Sequence, residues 1–339
     1  MNKLENIAWS RREFLIKFAA MGAGAYLGLD PQRVNAEPPP ETKRIRIIDD
    51  PYACLTPSYL AQEFLRAEGF SDIQYVKASG TNQFDKLISG EVDFTQDTPV
   101  GFLGFIDRGA PVVFLAGIHA GCWELFGTGR VRTVRDLQGK TVAVDSLGTG
   151  DHLFLSSMLA YVGLDPRRDV HWTAHEPAVS VKLLADGKVD AYLAFAPLAQ
   201  ELRAKKIGHV VVNTSTDKPW SQYFCCMAIA NRNFVRHNPV ATKRALRALL
   251  KAADLCAQDP AQAARYVVNK GYISNYEYTL QTLRELPYKV WRTYSPEDTL
   301  RFYSLRFRDL GLIKTNPNTL VSKASDWRFI RELKKELKA

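Results

Sequence analysis

The most distinctive chemistry in this sequence lies in short segments that follow β-branched runs. The segment SLGTGDH at 146–152 places two glycines after one such run. Glycine lets backbone amides approach a bound group closely, and Ser146 or Thr149 can cap the helix that follows. Free amides at a helix start can hold a sulfonate, carboxylate or nitrate group without a basic side chain. A tight turn is the alternative, and no dinucleotide or phosphate-loop motif is completed.

Segments in the same position after other β-branched runs contain acids but no arginine or lysine. With 146–152, these expected loops are 49–57, 78–82, 96–99, 117–124, 174–177 and 195–197. Their acidic residues are Asp49, Asp50, Asp97, Glu124, Asp151 and Glu176. An arginine clamp on an anion is therefore not expected. Aromatic neighbours are Tyr52, Trp123 and Phe195, with Trp220 and Tyr223 further along. Such a site suits an amine-bearing or heteroaromatic ligand through stacking and cation–π contact. The alternative is that several of these acids are helix caps that point away from the ligand.

Histidine and cysteine raise the question of a metal site. His119, His152 and His175 fall in the same segments, with Cys122 and Asp151 nearby. We expect ligand hydrogen bonds or local packing at these histidines and no metal site. The five cysteines are an odd number, which leaves at least one unpaired within a monomer. Their spacing assigns no disulfide.

These segments must be positioned by strands, and the pattern of strands repeats. Eight short apolar runs begin near Ile45, Ile73, Val92, Val112, Val142, Val170, Val189 and Val210. Segments of helical period separate them, which predicts parallel βα units. The successive gaps are nearly the same in the two sets of four. Gly-x-Val-Asp also occurs twice, at 90–93 and 187–190, with each glycine expected to end a helix. The chain therefore carries one βα lobe twice, and the helices after residue 222 should buttress the first copy.

The N-terminus is predicted to be an export signal that ends at residue 36. SRREFLIK at 10–17 precedes an apolar run at 18–29 and the small-residue sequence VNA at 34–36. This is the pattern of a cleaved twin-arginine signal. The apolar run is shorter than the roughly 20 residues that span a bilayer, so no stable membrane insertion is expected. The net charge of +9 comes from dispersed residues, which argues against nucleic-acid binding.

The sequence resembles the nitrate/sulfonate/taurine-type substrate-binding proteins of ABC transporters, a group that includes thiamine-pyrimidine-binding relatives. The matching pieces are TPS at 56–58, LISGEVD at 87–93, RGAPV at 108–112, VRDLQGKTVAV at 134–144, GLDP at 163–166 and GKVDA at 187–191. The resemblance implies an α/β, two-lobed periplasmic-binding-protein fold of type II, with mostly parallel sheets and a cleft between the lobes. It implies hinge closure on a small polar molecule, and delivery to an ABC permease and its ATPase.

This resemblance leads to a set of expectations for the whole chain. Lobe I should span 42–128 plus 221–339, and lobe II 129–220. The protein should be a periplasmic monomer without cofactor or catalytic activity. One alternative is a ligand sensor acting on a receptor. Another is an enzyme related to fungal thiamine-pyrimidine synthases, because FCCM at 224–227 of this chain partly resembles the cysteine-rich motif of those enzymes. The expected ligand-binding residues are Tyr52, Thr56, Asp97, Thr98, His119, Trp123, Ser146, Thr149, Gly150, His152, His175, Phe195 and Tyr223.

Overall fold

The strands form two sheets of five in a computed structural model that describes residues 37–78 and 82–338. The first sheet contains β1 (Arg44–Asp49), β2 (Asp72–Lys77), β3 (Phe94–Asp97), β4 (Val112–Ala120) and β10 (Phe224–Asn231). The second contains β5 (Trp123–Gly127), β6 (Lys140–Val144), β7 (Val170–Ala174), β8 (Ala191–Phe195) and β9 (His209–Asn213). Their orders are β2-β1-β3-β10-β4 and β7-β6-β8-β5-β9, so the two sheets have equivalent arrangements.

Each sheet is mostly parallel, with one reversed strand. β1 pairs in parallel with β2 and β3, whereas β10 runs antiparallel to both β3 and β4. In the second sheet, β6 pairs in parallel with β7 and β8, whereas β5 runs antiparallel to β8 and β9. The reversed strand of each sheet is the one that comes directly after a crossing from the other sheet. This exchange joins the two halves into one two-lobed α/β fold.

All eight strands predicted from the sequence are present, and each begins within two residues of its expected start. The prediction missed β5, because residues 117–124 were expected to form a loop. All nine residues of β4 are buried, so the apolar run continues as strand to Ala120. Gly121, at φ +64°, then redirects the chain, and a Cβ there would lie 2.4 Å from Ser215. The chain therefore enters the second sheet at Trp123, before the boundary expected at residue 129.

The repeated Gly-x-Val-Asp sequence has the same structural role in both lobes. Gly90 and Gly187 adopt φ values of +79° and +64°, as expected for glycines that end helices. Asp93 accepts a hydrogen bond from the amide of Arg46 at 2.8 Å, and Asp190 accepts one from Thr141 at 2.9 Å. Each aspartate therefore ties the approach to one strand to the start of its parallel neighbour. The repeat supports the fold and does not line the cleft.

Helices connect the strands and build the outer layers. In the first part of the chain they are α1 (Thr56–Ala67), α2 (Asn82–Ser89), α3 (Val100–Asp107), α4 (Gly150–Tyr161), α5 (Pro177–Ala185) and α6 (Leu198–Lys205). After β10 come α7 (Arg232–His237), α8 (Pro239–Gln258), α9 (Pro260–Asn269), α10 (Tyr276–Glu285), α11 (Pro296–Asp309), α12 (Pro317–Ala324) and α13 (Arg328–Glu336). Short 3-10 turns lie at Ala53–Leu55, Val134–Leu137, Trp220–Gln222 and Val290–Arg292.

The C-terminal helices buttress the first sheet, as the sequence predicted. Helix α8 packs on α1 and β4, and α12 and α13 also contact β4. Two of these helices reach further, because α10 contacts α6 and α11 contacts α4. The C-terminal helices therefore also touch the second lobe. Across the described residues, no helix is both long enough and apolar enough to cross a membrane. The predicted export signal lies outside the described residues.

Candidate functional site

Aromatic side chains from both lobes meet where the carboxyl ends of the strands converge. Tyr52, in the segment after β1, contacts Phe195 at the end of β8 edge to face, with ring centroids 4.6 Å apart. Phe195 lies 4.4 Å from Trp123, and Trp123 stacks on Phe154 of α4 at 5.9 Å. Such rings favour edge-to-face or offset contact at these distances. They form a wall shared by the two lobes, which we call the aromatic wall.

Two polar atoms beside this wall are buried without a partner. In the described part of the chain, Thr98 Oγ1 and Trp123 Nε1 form no hydrogen bond. A buried polar atom left unpaired costs about 1–3 kcal/mol. Thr98 lies close to the interlobe contact, since a Cβ placed on Gly150 would lie only 2.7 Å from Thr98 Cγ2. Trp123 is part of the aromatic wall itself. Thr98 and Trp123 can therefore offer hydrogen bonds to a ligand held between the lobes.

The cleft also contains acids that ionise with difficulty. Burial raises the pKa of Asp50 to about 7, and the negative charges of Asp49 and Cys226 add to that shift. Burial, followed by the charge of Asp151, likewise raises the pKa of Asp145 to about 7. The pKa of Asp97 is also raised, by burial and then by Asp50. The charges that act on these carboxyl groups are negative, so a bound cation would relieve their mutual repulsion.

Other acids in the same segments serve the fold. Asp151 accepts hydrogen bonds from the amide of Asp145 at 2.6 Å and from Thr149 Oγ1 at 2.5 Å. Asp49 accepts one from the Tyr59 hydroxyl at 2.8 Å. The sequence alternative was that several of these acids cap helices, and neither of these two residues does so. Asp151 instead holds the loop after β6, and Asp49 binds the side chain of Tyr59 in α1.

Glu124 belongs to a different contact between the lobes. It lies 3.5 Å from Arg203 of α6, and Arg203 also pairs with Glu285 of α10 at 2.5 Å. Burial raises the pKa of Glu124 to about 7 although Arg203 opposes the shift. Gln200 donates a further hydrogen bond to Glu285 at 3.1 Å. This group connects the second lobe to a C-terminal helix.

The glycine-containing loop is organised differently from the prediction. No side chain caps the start of α4. The hydroxyl of Thr149 is instead used inside the loop, where its oxygen lies within hydrogen-bonding distance of the Ser146 carbonyl and of Asp151. Ser146 is half-buried in the same turn. The expectation that Ser146 or Thr149 caps the helix is therefore wrong, and the first amides of α4 have no side-chain cap.

Several expected ligand residues take part in local contacts. Thr56 donates to the Ala53 carbonyl at 2.7 Å, and Tyr223 stacks on Phe302 with centroids 3.9 Å apart. His152 packs edge to face on Trp172 at 4.7 Å. These contacts direct Thr56, Tyr223 and His152 toward their own lobes.

His175 and His119, two more of the expected ligand residues, also contact residues of their own lobes. His175 Nε2 lies 2.5 Å from the Thr173 hydroxyl. His119 is fully buried, with its ring 5.0 Å from Tyr288 in an edge-to-face contact. The expected residues that the structure brings together at the interlobe contact are thus Tyr52, Asp97, Thr98, Trp123, Gly150 and Phe195.

Sequence reasoning missed Asp145 and its partner Tyr192. The Tyr192 hydroxyl, on β8, donates to Asp145 Oδ1 at 2.9 Å. Asp145 directly follows β6, as Asp50 directly follows β1. That position was the signal that could have identified it, because equivalent strands of the two lobes end at the same edge.

Sequence spacing left the disulfide pairing open, and the structure pairs Cys122 with Cys225. These residues lie 103 positions apart, with a Cα–Cα distance of 6.5 Å. All five strands of the second sheet lie between them in the sequence. The disulfide therefore joins the two chain crossings at the base of the second lobe. Cys54, Cys226 and Cys256 are free and buried.

Two solved structures share this two-lobed architecture. The chain resembles the periplasmic nitrate-binding protein NrtA from Synechocystis PCC 6803, with a TM-score of 0.75 and 15% identity over 89% of this chain and 90% of that one. It also resembles the alkanesulfonate-binding protein SsuA from Xanthomonas axonopodis pv. citri bound to MOPS, with a TM-score of 0.68 and 20% identity over 85% and 99% of the two chains. The prediction of a two-lobed periplasmic-binding-protein fold is confirmed.

Sequence relatives point to the same wider group. The chain is 26% identical over 238 residues to the 4-amino-5-hydroxymethyl-2-methylpyrimidine phosphate synthase THI13 of Saccharomyces cerevisiae, covering 65% of this chain and 68% of the yeast protein. The model of the NMT1-like family matches residues 60–269. That match spans more than half of the sequence, including most of α1, both crossings and α8. The chain belongs to the NMT1-like family.

Proposed function

We propose that this protein is an extracytoplasmic solute-binding protein that captures a small amine-bearing or heteroaromatic molecule between its lobes and delivers it to an ABC importer. The observation that carries the proposal is the juxtaposition of the aromatic wall with Asp50, Asp97 and Asp145. Aromatic faces attract cations and stack on flat rings, and buried carboxylates accept hydrogen bonds from protonated amines. Thr98 and Trp123 add two hydrogen-bonding atoms that lack partners.

Similarity in fold supports binding and transport as the general role. NrtA and SsuA are binding proteins for nitrate and alkanesulfonates, and both share the two-lobed fold. We propose that the ligand contacts both lobes and stabilises their closed arrangement, which the permease then recognises. The ligand differs from nitrate in this proposal, because the acids at the cleft would repel a simple anion.

We further propose that the protein is exported through the signal at residues 1–36. The Cys122–Cys225 disulfide supports this location, because disulfides persist in oxidising compartments such as the periplasm. Measuring the mass of the protein recovered from the periplasm tests the proposal. Cleavage should give a chain that begins at Glu37, and substitution of both Arg11 and Arg12 by lysine should leave the protein in the cytoplasm.

The synthase relatives favour a second candidate function, in which the chain acts on a pyrimidine precursor. The 26% identity to the yeast protein is the observation behind it. We propose binding in preference to catalysis, and incubation with candidate pyrimidines distinguishes the two. A binding protein returns the ligand unchanged, whereas a synthase changes its mass.

A thermal-shift screen tests the proposed ligand class. Amine-bearing zwitterions, aminopyrimidines, alkanesulfonates and nitrate are added separately in the presence of a chelator. A ligand that binds only the folded state raises the melting temperature, by an amount equivalent to about 2.7 kcal/mol at a hundredfold excess over Kd. Amines or aminopyrimidines should give the shift. A shift produced only by sulfonates or nitrate would contradict the proposed ligand class.

A further inference from the structure

A second group of reactive side chains lies in the first lobe, outside the aromatic wall. One ligand atom each from Cys54, His119 and Cys226 lies within 4.8 Å of the others. None of the three residues is more than 1% exposed. Cys54 lies in the 3-10 turn before α1, whereas His119 and Cys226 are directly paired residues of β4 and β10. Three different elements therefore bring two sulfur atoms and one imidazole to a single buried point.

The imidazole of His119 is oriented like that of a metal ligand. Its Nδ1 lies 3.0 Å from the carbonyl oxygen of Gly121 and 3.3 Å from that of Ala120. Carbonyl oxygens only accept hydrogen bonds, so Nδ1 carries a proton and donates it. Nε2 is buried and has no hydrogen-bond partner of normal geometry among the described residues. Metal-binding histidines commonly donate one ring N–H to a carbonyl and turn the other nitrogen to the ion.

The cysteines have the chemistry that a soft cation requires. Cys54 and Cys226 are free, buried thiols whose sulfur atoms lie within 4.8 Å of a ring nitrogen of His119. A thiolate is the form of cysteine that binds metals. Binding of a cation by these two thiols therefore releases their protons.

Surrounding side chains hold these groups in position. The carbonyl oxygen of Cys54 accepts hydrogen bonds from the Tyr288 hydroxyl at 3.0 Å and from Gln96 Nε2 at 3.2 Å. Tyr288 also packs against the ring of His119. A single tyrosine from the C-terminal region thus supports both the turn that carries Cys54 and the imidazole. Partners of this kind orient the ligands in established metal sites.

We infer that Cys54, His119 and Cys226 bind one soft divalent cation, of which Zn²⁺ is the representative. Zinc forms bonds of about 2.3 Å to sulfur and about 2.0 Å to nitrogen in tetrahedral sites, which places ligand atoms about 3.5–3.8 Å apart. Separations up to 4.8 Å need an adjustment on the order of 1 Å to reach that geometry. Two thiolates balance the charge of a divalent cation.

The disulfide limits which sulfur atoms can take part. Cys226 also lies near Cys122 and Cys225, but the bond between those two residues consumes both of their thiols. The free thiols near His119 are those of Cys54 and Cys226. The third free thiol, on Cys256, belongs to helix α8 and is absent from this three-residue group. Cys256 therefore provides a matched control, since it is equally buried and equally unpaired.

Cadmium titration of the full chain tests the inference. Cd²⁺ replaces Zn²⁺ in thiolate sites and gives a thiolate-to-metal charge-transfer absorption in the ultraviolet. The protein is kept without reductant, so that the disulfide remains intact, and three free thiols are verified on the denatured chain. One equivalent of Cd²⁺ should bind, with the absorption saturating at that ratio. Zn²⁺ should compete for the same site, and a chelator should reverse both.

Variants then locate the site. Cys54→Ser and Cys226→Ser should each weaken Cd²⁺ binding at least tenfold and remove much of the absorption, whereas Cys256→Ser should behave as the unmodified protein. His119→Gln should weaken binding but keep the thiolate absorption. Circular dichroism verifies that each variant is folded. Absence of saturable binding to the unmodified protein would overturn the inference, whether or not any variant folds. Equal binding by the Cys226→Ser and Cys256→Ser variants would also overturn it.

Discussion

The loop after β1 and the loop after β6 occupy equivalent positions in the two lobes, and each divides its acids in the same way. In the first, Asp49 accepts a hydrogen bond from Tyr59 while the pKa of Asp50 is raised to about 7. In the second, Asp151 holds the loop while the pKa of Asp145 is raised to about 7. Asp49, at the end of β1, and Asp151, in the first turn of α4, each bind a group of their own lobe, whereas the other acid of each pair has a pKa raised by burial.

The two loops differ in what lies next to them. The first leads into the turn that contains Cys54, beside His119 and Cys226. The second leads into α4, which begins without a side-chain cap. The duplicated topology thus fixes where each loop begins, because parallel strands terminate at a common edge. The chemistry beside each loop is set by side chains that the two lobes do not share.

The largest expected effect concerns the attachment of the second lobe. The Cys122–Cys225 disulfide closes a loop that contains all five strands of that lobe. Substitution of both cysteines by serine should lower the free energy of unfolding by about 4–5 kcal/mol, since a cross-link over roughly 100 residues restricts the unfolded chain by that amount. Urea denaturation measures the loss, with Cys256→Ser as the control. A double variant as stable as the control would show that the disulfide does not constrain the lobe.

The next largest effect, on ligand affinity, is expected from substitution of Asp50 or Asp145, two acids whose pKa values are raised. Asp50→Asn and Asp145→Asn should each weaken binding of an amine-bearing ligand by about 2–3 kcal/mol, because each removes one partner of a buried charge pair. Calorimetric titration of each variant and of Asp309→Asn, an exposed acid at the end of α11, measures the difference. Similar losses in both lobes would establish that the loops act together. A loss for Asp50 alone would confine the ligand to the first lobe.

A smaller effect is expected for the indole nitrogen of the aromatic wall. Trp123→Phe keeps a ring next to Phe195 and removes the unpartnered Nε1 donor. Affinity should fall by about 1 kcal/mol, the usual net value of one hydrogen bond. Alanine is a poorer test, because truncation of a tryptophan that is only 6% exposed costs about 3–5 kcal/mol of stability. Unchanged affinity in Trp123→Phe would remove this donor from the site.

Ionisation of Asp50 and Asp145 should make the stability of the ligand-free protein depend on pH. Asp50 and Asp145 have folded pKa values of about 7 and ordinary values of 3.8. Between about pH 4 and pH 7 the folded state holds protons that the unfolded state has lost, so the free energy of unfolding should fall as pH rises through that window. Melting temperatures measured from pH 4 to pH 8 should show this decline. The double variant Asp50→Asn/Asp145→Asn should show a shallower one, and an identical slope would contradict the assignment.

The sequence predicted the architecture because strand spacing and apolar patterning are local properties. Periodicity predicted the strands that begin near Ile45 and Val142, and turn chemistry predicted the helix-ending glycines at 90 and 187. It missed β5, because Gly121 turns the chain through a close approach to Ser215 that has no local signature.

Site residues were harder to predict, because the direction of a side chain depends on its distant contacts. Tyr223 was expected in the cleft but stacks on Phe302, which lies far along the sequence. Thr149 was expected to cap α4 but donates to Asp151. The cluster of Cys54, His119 and Cys226 escaped notice for the same reason, since its members are separated by more than 60 residues at each step and meet only through β4, β10 and the turn before α1.

The thermal-shift screen, repeated on the Asp50→Asn/Asp145→Asn variant with chelator present, tests the central claim most directly. The claim is that the acids of both lobes and the aromatic wall select a small amine-bearing or heteroaromatic ligand. The account predicts that an amine or aminopyrimidine raises the melting temperature of the unmodified protein and has little effect on the variant. A shift caused only by nitrate or sulfonates, and equally large in the variant, would contradict it.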